Sequence, residues 1–233
     1  MFLKKPCFRF WCLLLFGLFS FSGIRSVCAQ ITTNNMHNKN RNHRFRDAEA
    51  WADRFEDPAR DEWQKPETVI AAMGIRQNSR LADIGSATGY FPVRFARAAI
   101  NGRVYGIDVE PDMVHYLNER AVDEGLTNLT SVLGTYDDPN IPEPVDFIFI
   151  CNTYHHIQQR ELYFENLKRY FLPGGQLIIV DFKPGPLPVG PPDTMKLSQE
   201  QIIAELTGIG YTFIPGEVSL PYQFFLRFIP SPE

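Results

Sequence analysis

The sequence predicts an α/β fold: a doubly wound, seven-stranded sheet that is mostly parallel, with an antiparallel last strand and helices on both faces. Two observations support this prediction. From Arg80 onward, short runs rich in valine and isoleucine alternate with amphipathic segments, which is typical of parallel strands joined by crossover helices. The final two runs, 211–214 and 222–229, have no helical segment between them, so they must pair antiparallel at an edge of the sheet.

Every element of that fold can be assigned to a stretch of the chain. Helices are predicted over 47–55 and 66–74, and Asp47 and Pro66 are residue types that favour a helix start. The predicted strands are 80–84, 103–107, 129–133, 145–151, 176–182, 211–214 and 222–229. The remaining predicted helices are 90–100, 111–124, 158–171 and 198–209, the last of which begins with a capping box at Ser198.

The first 29 residues have the layout of a secretory signal peptide. A lysine pair and Arg9 precede an uncharged apolar run over 10–24, and small residues offer a cleavage site after Ala29. This run of 15 residues is shorter than the ~20 that a membrane-spanning helix needs. We therefore expect an exported protein, periplasmic or secreted, with no stable membrane span after cleavage. The alternative is a protein anchored in the membrane through an uncleaved signal.

Without this signal the chain is acidic and has one cysteine. The signal holds four basic residues and no acidic ones, so 19 basic and 27 acidic side chains remain and the net charge becomes −8. An acidic chain without a basic stripe is a poor match for a nucleic-acid backbone, so we expect no nucleic-acid partner. Cys151, at the end of an apolar run, is predicted to be a buried thiol. Residues 30–46 are predicted to be a flexible polar linker before a single domain at 47–233, which begins with an N-terminal helical cap (47–74).

A glycine-bearing turn follows the first predicted strand. Asp83 ends that strand, Gly85 and Gly89 lie four residues apart in the turn, and a helix follows at Tyr90. The backbone amides and the dipole at such a helix start favour an anionic group. The second strand ends in Asp108, where a carboxylate can accept both hydroxyl hydrogens of a ribose. Together these features predict a nucleoside-containing cofactor.

The pattern Asp-x-Gly-x-x-x-Gly at 83–89 resembles the first motif of class I S-adenosylmethionine-dependent methyltransferases, and the resemblance extends over about residues 66–229 to the reversed terminal strand. It implies a Rossmann-like fold, S-adenosylmethionine as cofactor, and methyl transfer to an acceptor. The acidic charge and the lack of an extra recognition domain favour a small-molecule acceptor. Ala87 stands where the family usually has its middle glycine. A nicotinamide-dependent oxidoreductase is disfavoured, because those enzymes space their glycines as G-x-G-x-x-G.

The resemblance also implies which residues bind the cofactor. The amino-acid portion would be held by Asp83 and by the turn residues Gly85, Ser86, Ala87 and Gly89. Asp108 would take the ribose hydroxyls, Val109 would pack on the adenine, and Asn152 lies at the tip of the fourth strand. The family often has an acid after the third strand that accepts from the adenine amino group. Thr135 stands at that position here, so Asp137 or Asp138 could substitute, or either could cap the loop before Pro139.

Tyr154, His155 and His156 follow the fourth strand, where the methyl group and its acceptor meet in the family. A histidine there could accept a proton as an oxygen or nitrogen nucleophile attacks. Alternatively, one histidine packs and the other caps the next helix. A metal site is disfavoured because no further ligand follows at a suitable spacing.

Two segments could line the acceptor pocket. Trp51, Phe55 and Trp63 lie in the N-terminal cap, and the stretch 183–192 is rich in proline and glycine. The aromatic residues could equally cover the sheet, and the stretch could be a long connector.

A second functional hypothesis is an exported protein that binds S-adenosylmethionine or S-adenosylhomocysteine without turnover. The methyl donor is made inside cells, and Ala87 and Thr135 depart from the family pattern. A test of turnover separates this hypothesis from the enzyme.

Overall fold

The computed structural model describes residues 47–231, so the predicted signal peptide and polar linker lie outside the described part of the chain. The helices are α1 (Ala48–Phe55), α2 (Arg60–Gln64), α3 (Pro66–Met73), α4 (Tyr90–Ala98), α5 (Pro111–Asp123), α6 (Arg160–Leu167) and α7 (Gln199–Gly208). The strands are β1 (Arg80–Ile84), β2 (Arg103–Asp108), β3 (Leu129–Leu133), β4 (Val145–Cys151), β5 (Phe171–Phe182), β6 (Tyr211–Ile214) and β7 (Gln223–Pro230). Short 3₁₀ turns occupy Tyr154–His156, Lys168–Tyr170 and Asp193–Met195.

The seven strands form one sheet in the order β3-β2-β1-β4-β5-β7-β6. Strands β1 to β5 pair in parallel, and β7 pairs antiparallel with both β5 and β6. This confirms the predicted fold class, including the reversed last strand. The chain runs outward from β1 to β3 and then returns to β4 beside β1. The crevice outside the carboxyl ends of β1 and β4 is therefore a topological switch point, where open α/β sheets bind ligands.

Helices cover both faces of the sheet. On one face α3, α4 and α5 bury a cluster in which the rings of Phe91 and Phe95 lie 4.7 and 5.1 Å from that of Phe149 in β4. On the other face α6 and α7 pack Phe164 and Leu206 against the same strands. Burying a side chain of this size stabilises the fold by ~1.5–3 kcal/mol. The two layers therefore hold the carboxyl edge of the sheet in place.

Helix starts follow the local signals in the sequence. The Asp47 carboxylate accepts from the backbone N–H of Ala50, Pro66 is the first residue of α3, and Ser198 Oγ accepts from the N–H of Gln201. Gly74 ends α3 in the left-handed conformation. These caps satisfy terminal backbone groups within one turn, which is why they can be read from the sequence.

Two elements differ from the prediction. The helix expected over 158–171 is shorter, because α6 ends at Leu167 and β5 begins at Phe171. Phe171 pairs with Val145 across a bulge that accommodates the Leu-Pro-Gly-Gly turn within the strand. The short helix α2 was not predicted, since its five residues contain no apolar stripe. Among the described residues, every helix is too short or too polar to cross a bilayer.

Candidate active site

The turn after β1 is fastened to the end of β2. The backbone N–H groups of Gly85 and Ser86 both donate to the carbonyl of Ile107, over 2.8 and 3.0 Å. Gly85 has a φ of +79°, and a Cβ on it would lie 2.2 Å from Thr153 Oγ1, at the end of β4. Gly89 begins α4 with a φ of +101°, and a Cβ there would meet Leu117 Cδ1 at 2.3 Å. Both glycines of the motif are therefore required by backbone conformation and by close approach.

Ala87 has a backbone conformation that favours glycine. Its φ is +46°, in the left-handed region that an L-residue with a Cβ adopts only at a cost of ~1–2 kcal/mol. Its backbone N–H donates to Asp108 Oδ2 over 2.9 Å. The turn thus places an acid of β2 directly against the motif that follows β1.

Two carboxyl groups lie at this edge. Asp108 Oδ1 also accepts from the N–H of Glu110 over 3.0 Å; burial raises the pKa of Asp108, and the N–H groups of Glu110 and Ala87 oppose that rise. Asp83 is only 3% exposed, and burial raises its pKa to about 8 although the charge of Arg60 lowers it. No hydrogen bond from the described residues reaches the Asp83 carboxyl group. Asp83 therefore has a buried carboxyl group whose oxygens make no hydrogen bond to the described residues.

Ser86 is the second polar group in the turn without a partner. Its side chain is 5% exposed, and its Oγ has no hydrogen bond among the described residues. It faces Gly106 of β2, where a Cβ would lie 3.0 Å from Ser86 Oγ. Buried polar groups in folded proteins are almost always satisfied. An orphaned hydroxyl in this turn fits a site for a polar ligand.

The loop after β3 holds two acids in different situations. Asp138 accepts from the Tyr170 hydroxyl over 2.7 Å, from the N–H of Asn140, and from Arg169. Asp137 is exposed, and its backbone N–H donates to Thr135 Oγ1. Asp138 therefore shapes the loop, which leaves Asp137 as the acid that can turn towards a ligand. None of the described hydrogen bonds joins Asp137 to the turn after β1.

Three side-chain amides form a hydrogen-bonded ring that connects α2 of the N-terminal cap with the end of β4 and the start of β7. Gln64 Nε2 donates to Gln223 Oε1 over 2.6 Å, and Gln223 Nε2 donates to Asn152 Oδ1 over 2.5 Å. Asn152 Nδ2 closes the ring towards Gln64 Oε1 at 3.4 Å. Gln64 and Gln223 are both fully buried. Sequence reasoning identified Asn152 but missed these two glutamines, since single glutamines in unrelated segments carry no motif.

The cap also contacts the turn and α4 directly. Glu56 accepts from Thr88 Oγ1 over 2.7 Å and pairs with Arg120 at 2.8 Å. Asp61 accepts from the Tyr90 hydroxyl and pairs with Arg94 at 3.1 Å. These contacts hold α1 and α2 over the first residues of α4.

Arg60 of α2 was also missed by the sequence analysis. Its guanidinium lies 3.8 Å from the centre of the Tyr90 ring, and it donates to the carbonyl of Phe55 and to Gln64 Oε1. Its charge also lowers the pKa of Asp83. The cap therefore contributes a cation beside the buried carboxyl.

The aromatic residues of the cap divide into two groups. The Trp51 ring stacks on Phe55 at 5.3 Å, within α1. The Trp63 ring lies 5.7 Å from Phe182 and 6.3 Å from Tyr222, beside the end of β5.

The segment after β5 packs on the Phe182 ring. A Cβ on Gly190 would meet Phe182 at 2.8 Å, Lys196 Nζ donates to the carbonyl of Gly185, and the N–H of Gly185 donates to Asp193 Oδ1. The proline-rich stretch therefore folds back against the sheet end.

The three residues after β4 have different environments. Tyr154 is fully buried, and its hydroxyl donates to Glu205 Oε2 over 2.8 Å, so it belongs to the layer of α6 and α7. His155 Nδ1 lies 3.0 and 3.1 Å from the two oxygens of Asp181 in β5. The exposed His156 ring lies 4.2 Å from the His155 ring. Cys151 is buried as predicted, and burial raises the pKa of its thiol.

A cleft of 460 Å³ opens on the α6–α7 side, lined by Tyr154, Arg160 and Glu205 among others. None of the residues predicted to bind the cofactor lines it. Arg160 and Glu205 form part of its wall, where two guanidinium nitrogens of Arg160 donate to the Glu205 carboxylate over 2.7 and 3.0 Å. We therefore place the candidate site in the crevice at the carboxyl ends of β1, β2 and β4.

Comparison with known proteins finds relatives of this domain. Residues 75–209 match the model of a family described as a methyltransferase domain. A ubiquinone/menaquinone biosynthesis C-methyltransferase of Proteus mirabilis (strain HI4320) is 27% identical over 117 residues, covering 49% of this chain and 47% of that protein. The 27-O-demethylrifamycin SV methyltransferase of Amycolatopsis mediterranei (strain S699) is 29% identical over 125 residues, covering 52% and 45%. The matched part of the chain thus spans about half the length of these curated relatives.

Solved structures extend the similarity over most of the described chain. A SAM-dependent methyltransferase from Aquifex aeolicus superposes with a TM-score of 0.72 at 29% identity, covering 78% of this chain and 97% of that one. A complex of DhpI with S-adenosylhomocysteine shares the fold, with a TM-score of 0.60 at 19% identity. The matched segment contains the turn after β1, Asp108 and the residues that follow β4. The chain belongs to the methyltransferase-domain family, within the class I S-adenosylmethionine-dependent methyltransferases that the motif at 83–89 indicated.

Proposed function

We propose that the protein transfers the methyl group of S-adenosylmethionine to a small-molecule acceptor in the crevice beyond β1, β2 and β4. The observation that supports this most is the turn after β1, where the orphaned Ser86 hydroxyl, the unpaired Asp83 carboxyl and Asp108 lie together. When bound, the cofactor supplies an electrophilic methyl group on a sulfonium. Methyl transfer needs in-line approach in a confined site more than a strong acid or base.

Each polar group of the crevice has a complementary part of the cofactor. Asp83 would bind the ammonium group, and the N–H groups between Gly85 and Gly89 at the start of α4 would bind the carboxylate. The Asp108 oxygens accept the backbone N–H groups of Ala87 and Glu110, and a carboxylate has further lone pairs for a ribose hydroxyl. Val109 would pack on the adenine, Asp137 would accept from its amino group, and Asn152 would lie near the methionine portion.

A small-molecule acceptor is supported by the charge and by the relatives. The chain after residue 29 has a net charge of −8, which disfavours nucleic acid. The names of the two curated relatives refer to quinone biosynthesis and to a rifamycin, both small molecules.

The N-terminal residues 1–29 support export of the protein, which cell fractionation of a C-terminally tagged full chain would test.

Calorimetric titration of residues 30–233 with S-adenosylmethionine, S-adenosylhomocysteine and NAD tests the cofactor. We expect micromolar binding of the first two and none of NAD. Asp108→Asn should weaken binding by about 10- to 100-fold, since each hydrogen bond to a charged group contributes ~1.5–3 kcal/mol. Asp123→Asn, on the exposed end of α5, is the matched control and should leave the affinity unchanged.

Two outcomes would contradict the proposal. A folded protein that binds neither S-adenosyl compound would exclude it as a methyltransferase. Tight binding without formation of S-adenosylhomocysteine across a broad panel of acceptors would instead support a binding protein without turnover.

A further inference from the structure

His155 and Asp181 form a buried histidine–carboxylate pair at the carboxyl ends of β4 and β5. Their side chains are 4% and 6% exposed, and His155 Nδ1 lies within 3.1 Å of both carboxylate oxygens. Asp181 is further held by the N–H of Phe182, which donates to Oδ1 over 2.8 Å. Asp181 of β5 therefore holds the His155 ring at its Nδ1 side.

This arrangement determines the tautomer of His155. A carboxylate only accepts, so Nδ1 carries the proton, and in the neutral imidazole Nε2 carries the lone pair. No hydrogen bond from the described residues reaches Nε2. An imidazole held at Nδ1 by a carboxylate, with its other nitrogen free, is the arrangement of a general base.

The pair lies beside the cofactor crevice. Thr153 follows β4 and fills the space where a Cβ of Gly85 would lie, so the segment after β4 contacts the turn of the cofactor motif. The 3₁₀ turn that carries His155 begins at the next residue and is closed by the N–H of His156 donating to the carbonyl of Thr153. His155 is thus two residues from a direct contact with that turn.

We propose that His155 takes the proton of a hydroxyl group on the acceptor, and that Asp181 is the residue that positions it. This inference rests on the proposed methyltransferase function. The acceptor class that follows is a small molecule with a weakly acidic hydroxyl, a phenol or an enol.

The chemistry of the step balances without another reactant. As the acceptor oxygen forms its bond to the methyl carbon, the carbon–sulfur bond breaks and its electron pair remains on sulfur. The hydroxyl proton passes to His155 Nε2, and the imidazolium is stabilised by Asp181. After the products leave, His155 returns this proton to water.

A hydroxyl acceptor needs such a base more than an amine does. A neutral amine already presents its lone pair, whereas a hydroxyl oxygen is a weak nucleophile until its proton leaves. A phenol, with an ordinary pKa of ~10, is acidic enough to give its proton to a positioned histidine as its oxygen attacks.

The ionisable groups around His155 come from several elements. Asp181 of β5 and the neighbouring His156 ring contact His155, and Asp181 in turn raises the thiol pKa of Cys151 in β4. Arg60 of α2 lowers the pKa of Cys151 and so contributes a positive charge near it. A base here would act between one anion and the cationic cofactor.

The test measures ionisation of a bound acceptor mimic rather than turnover. 4-Nitrophenol is titrated into the complex with S-adenosylhomocysteine, and the visible absorption of the phenolate is followed against pH. We expect the ionisation midpoint of the bound phenol to lie at least about one pH unit lower in the wild type than in His155→Gln or Asp181→Asn. The double variant should show no further shift, because the two residues act as one unit.

The variants separate a catalytic from a structural role. Asp181→Asn keeps an oxygen for the Phe182 N–H, so its fold is expected to survive if His155→Gln proves unstable. His115→Gln is the matched control, because His115 pairs with Glu119 at 3.2 Å on the exposed face of α5 and should leave the midpoint unchanged. A purely structural pair would change the melting temperature without moving the midpoint.

The outcomes separate a failure of the proposed methyltransferase function from a failure of the proposed role of His155. If S-adenosylhomocysteine does not bind, the proposed function fails and this inference fails with it. If it binds but 4-nitrophenol does not, or if the midpoint is the same in all variants, only the role of His155 and the hydroxyl acceptor class are overturned.

Discussion

Ala87 is a strained residue in the turn that would hold the cofactor. Its φ of +46° brings its N–H onto Asp108, while its Cβ opposes that conformation. The hydrogen bond and the two flanking glycines hold the turn in place despite this opposition. The Ala87 methyl group is therefore expected to destabilise the turn.

Replacing Ala87 by glycine should therefore stabilise the protein. Relief of the left-handed strain, ~1–2 kcal/mol, exceeds the ~0.4–1 kcal/mol lost through greater freedom of the unfolded chain, so we expect a net gain of about 0.5–1 kcal/mol. Urea denaturation measures it. Ala71→Gly in α3 is the matched control and should cost ~1 kcal/mol instead, because Ala71 is helical. Equal losses in both variants would show that residue 87 is not strained.

At the scale of elements, polar contacts attach the cap to the core of the domain. Glu56 joins α1 to the turn and to α5 through Thr88 and Arg120, and its side chain is only 22% exposed. Asp61 joins α2 to α4. Local opening of a segment depends on how many such contacts it must break. The first part of the cap, α1, is therefore expected to open more easily than the sheet does.

Glu56→Gln should speed amide exchange in α1. The variant replaces a partly buried ion pair by a neutral contact, a loss of ~1 kcal/mol, so exchange over residues 48–55 should rise about 5-fold. Hydrogen exchange read by mass spectrometry measures this, while exchange in β4 should stay unchanged. Asp53→Asn, on the exposed face of the same helix, serves as the control. If exchange in α1 is the same in all three proteins, Glu56 does not hold the cap.

At the scale of the whole molecule, Asp83 makes stability depend on pH. Burial raises its folded pKa to about 8 from 3.8. Below pH ~4 the carboxyl is neutral in both the folded and unfolded states; above that the unfolded state loses its proton first. The stabilising effect of the protonated form is therefore complete below the unfolded pKa and is lost as pH rises towards 8.

This linkage predicts that Asp83→Asn will flatten the stability profile. Between pH 4 and pH 8 the wild type should lose up to ~1.4 kcal/mol per pH unit relative to the variant. Denaturation at a series of pH values measures the difference. Asp146→Asn is unsuitable as a control because its carboxylate bonds the N–H of Arg80; the exposed Asp123→Asn should follow the wild type. Parallel curves for wild type and Asp83→Asn would mean that Asp83 is charged in the folded state.

The sequence by itself determined the strands and the cofactor turn. The predicted bounds of β1, β3, β4 and β6 match the structure. Strand bounds can be predicted because the spacing of apolar residues and the flanking turn residues are local features of the sequence. Gly85 and Gly89 could likewise be identified because their backbone conformation is a local requirement. The family followed from the same short segment, with Asp108 as the partner from the next strand.

Only the tertiary structure decided which side chains act together. Asp181 lies 26 residues from His155, and Gln64 lies 159 residues from Gln223 in the amide ring. Neither pair has a sequence pattern, because each depends on which strands become neighbours and on the register between them. The burial that raises the pKa of Asp83 likewise comes from elements far apart in the chain. Contacts within a turn are set by local conformation, whereas these are set by how the sheet assembles.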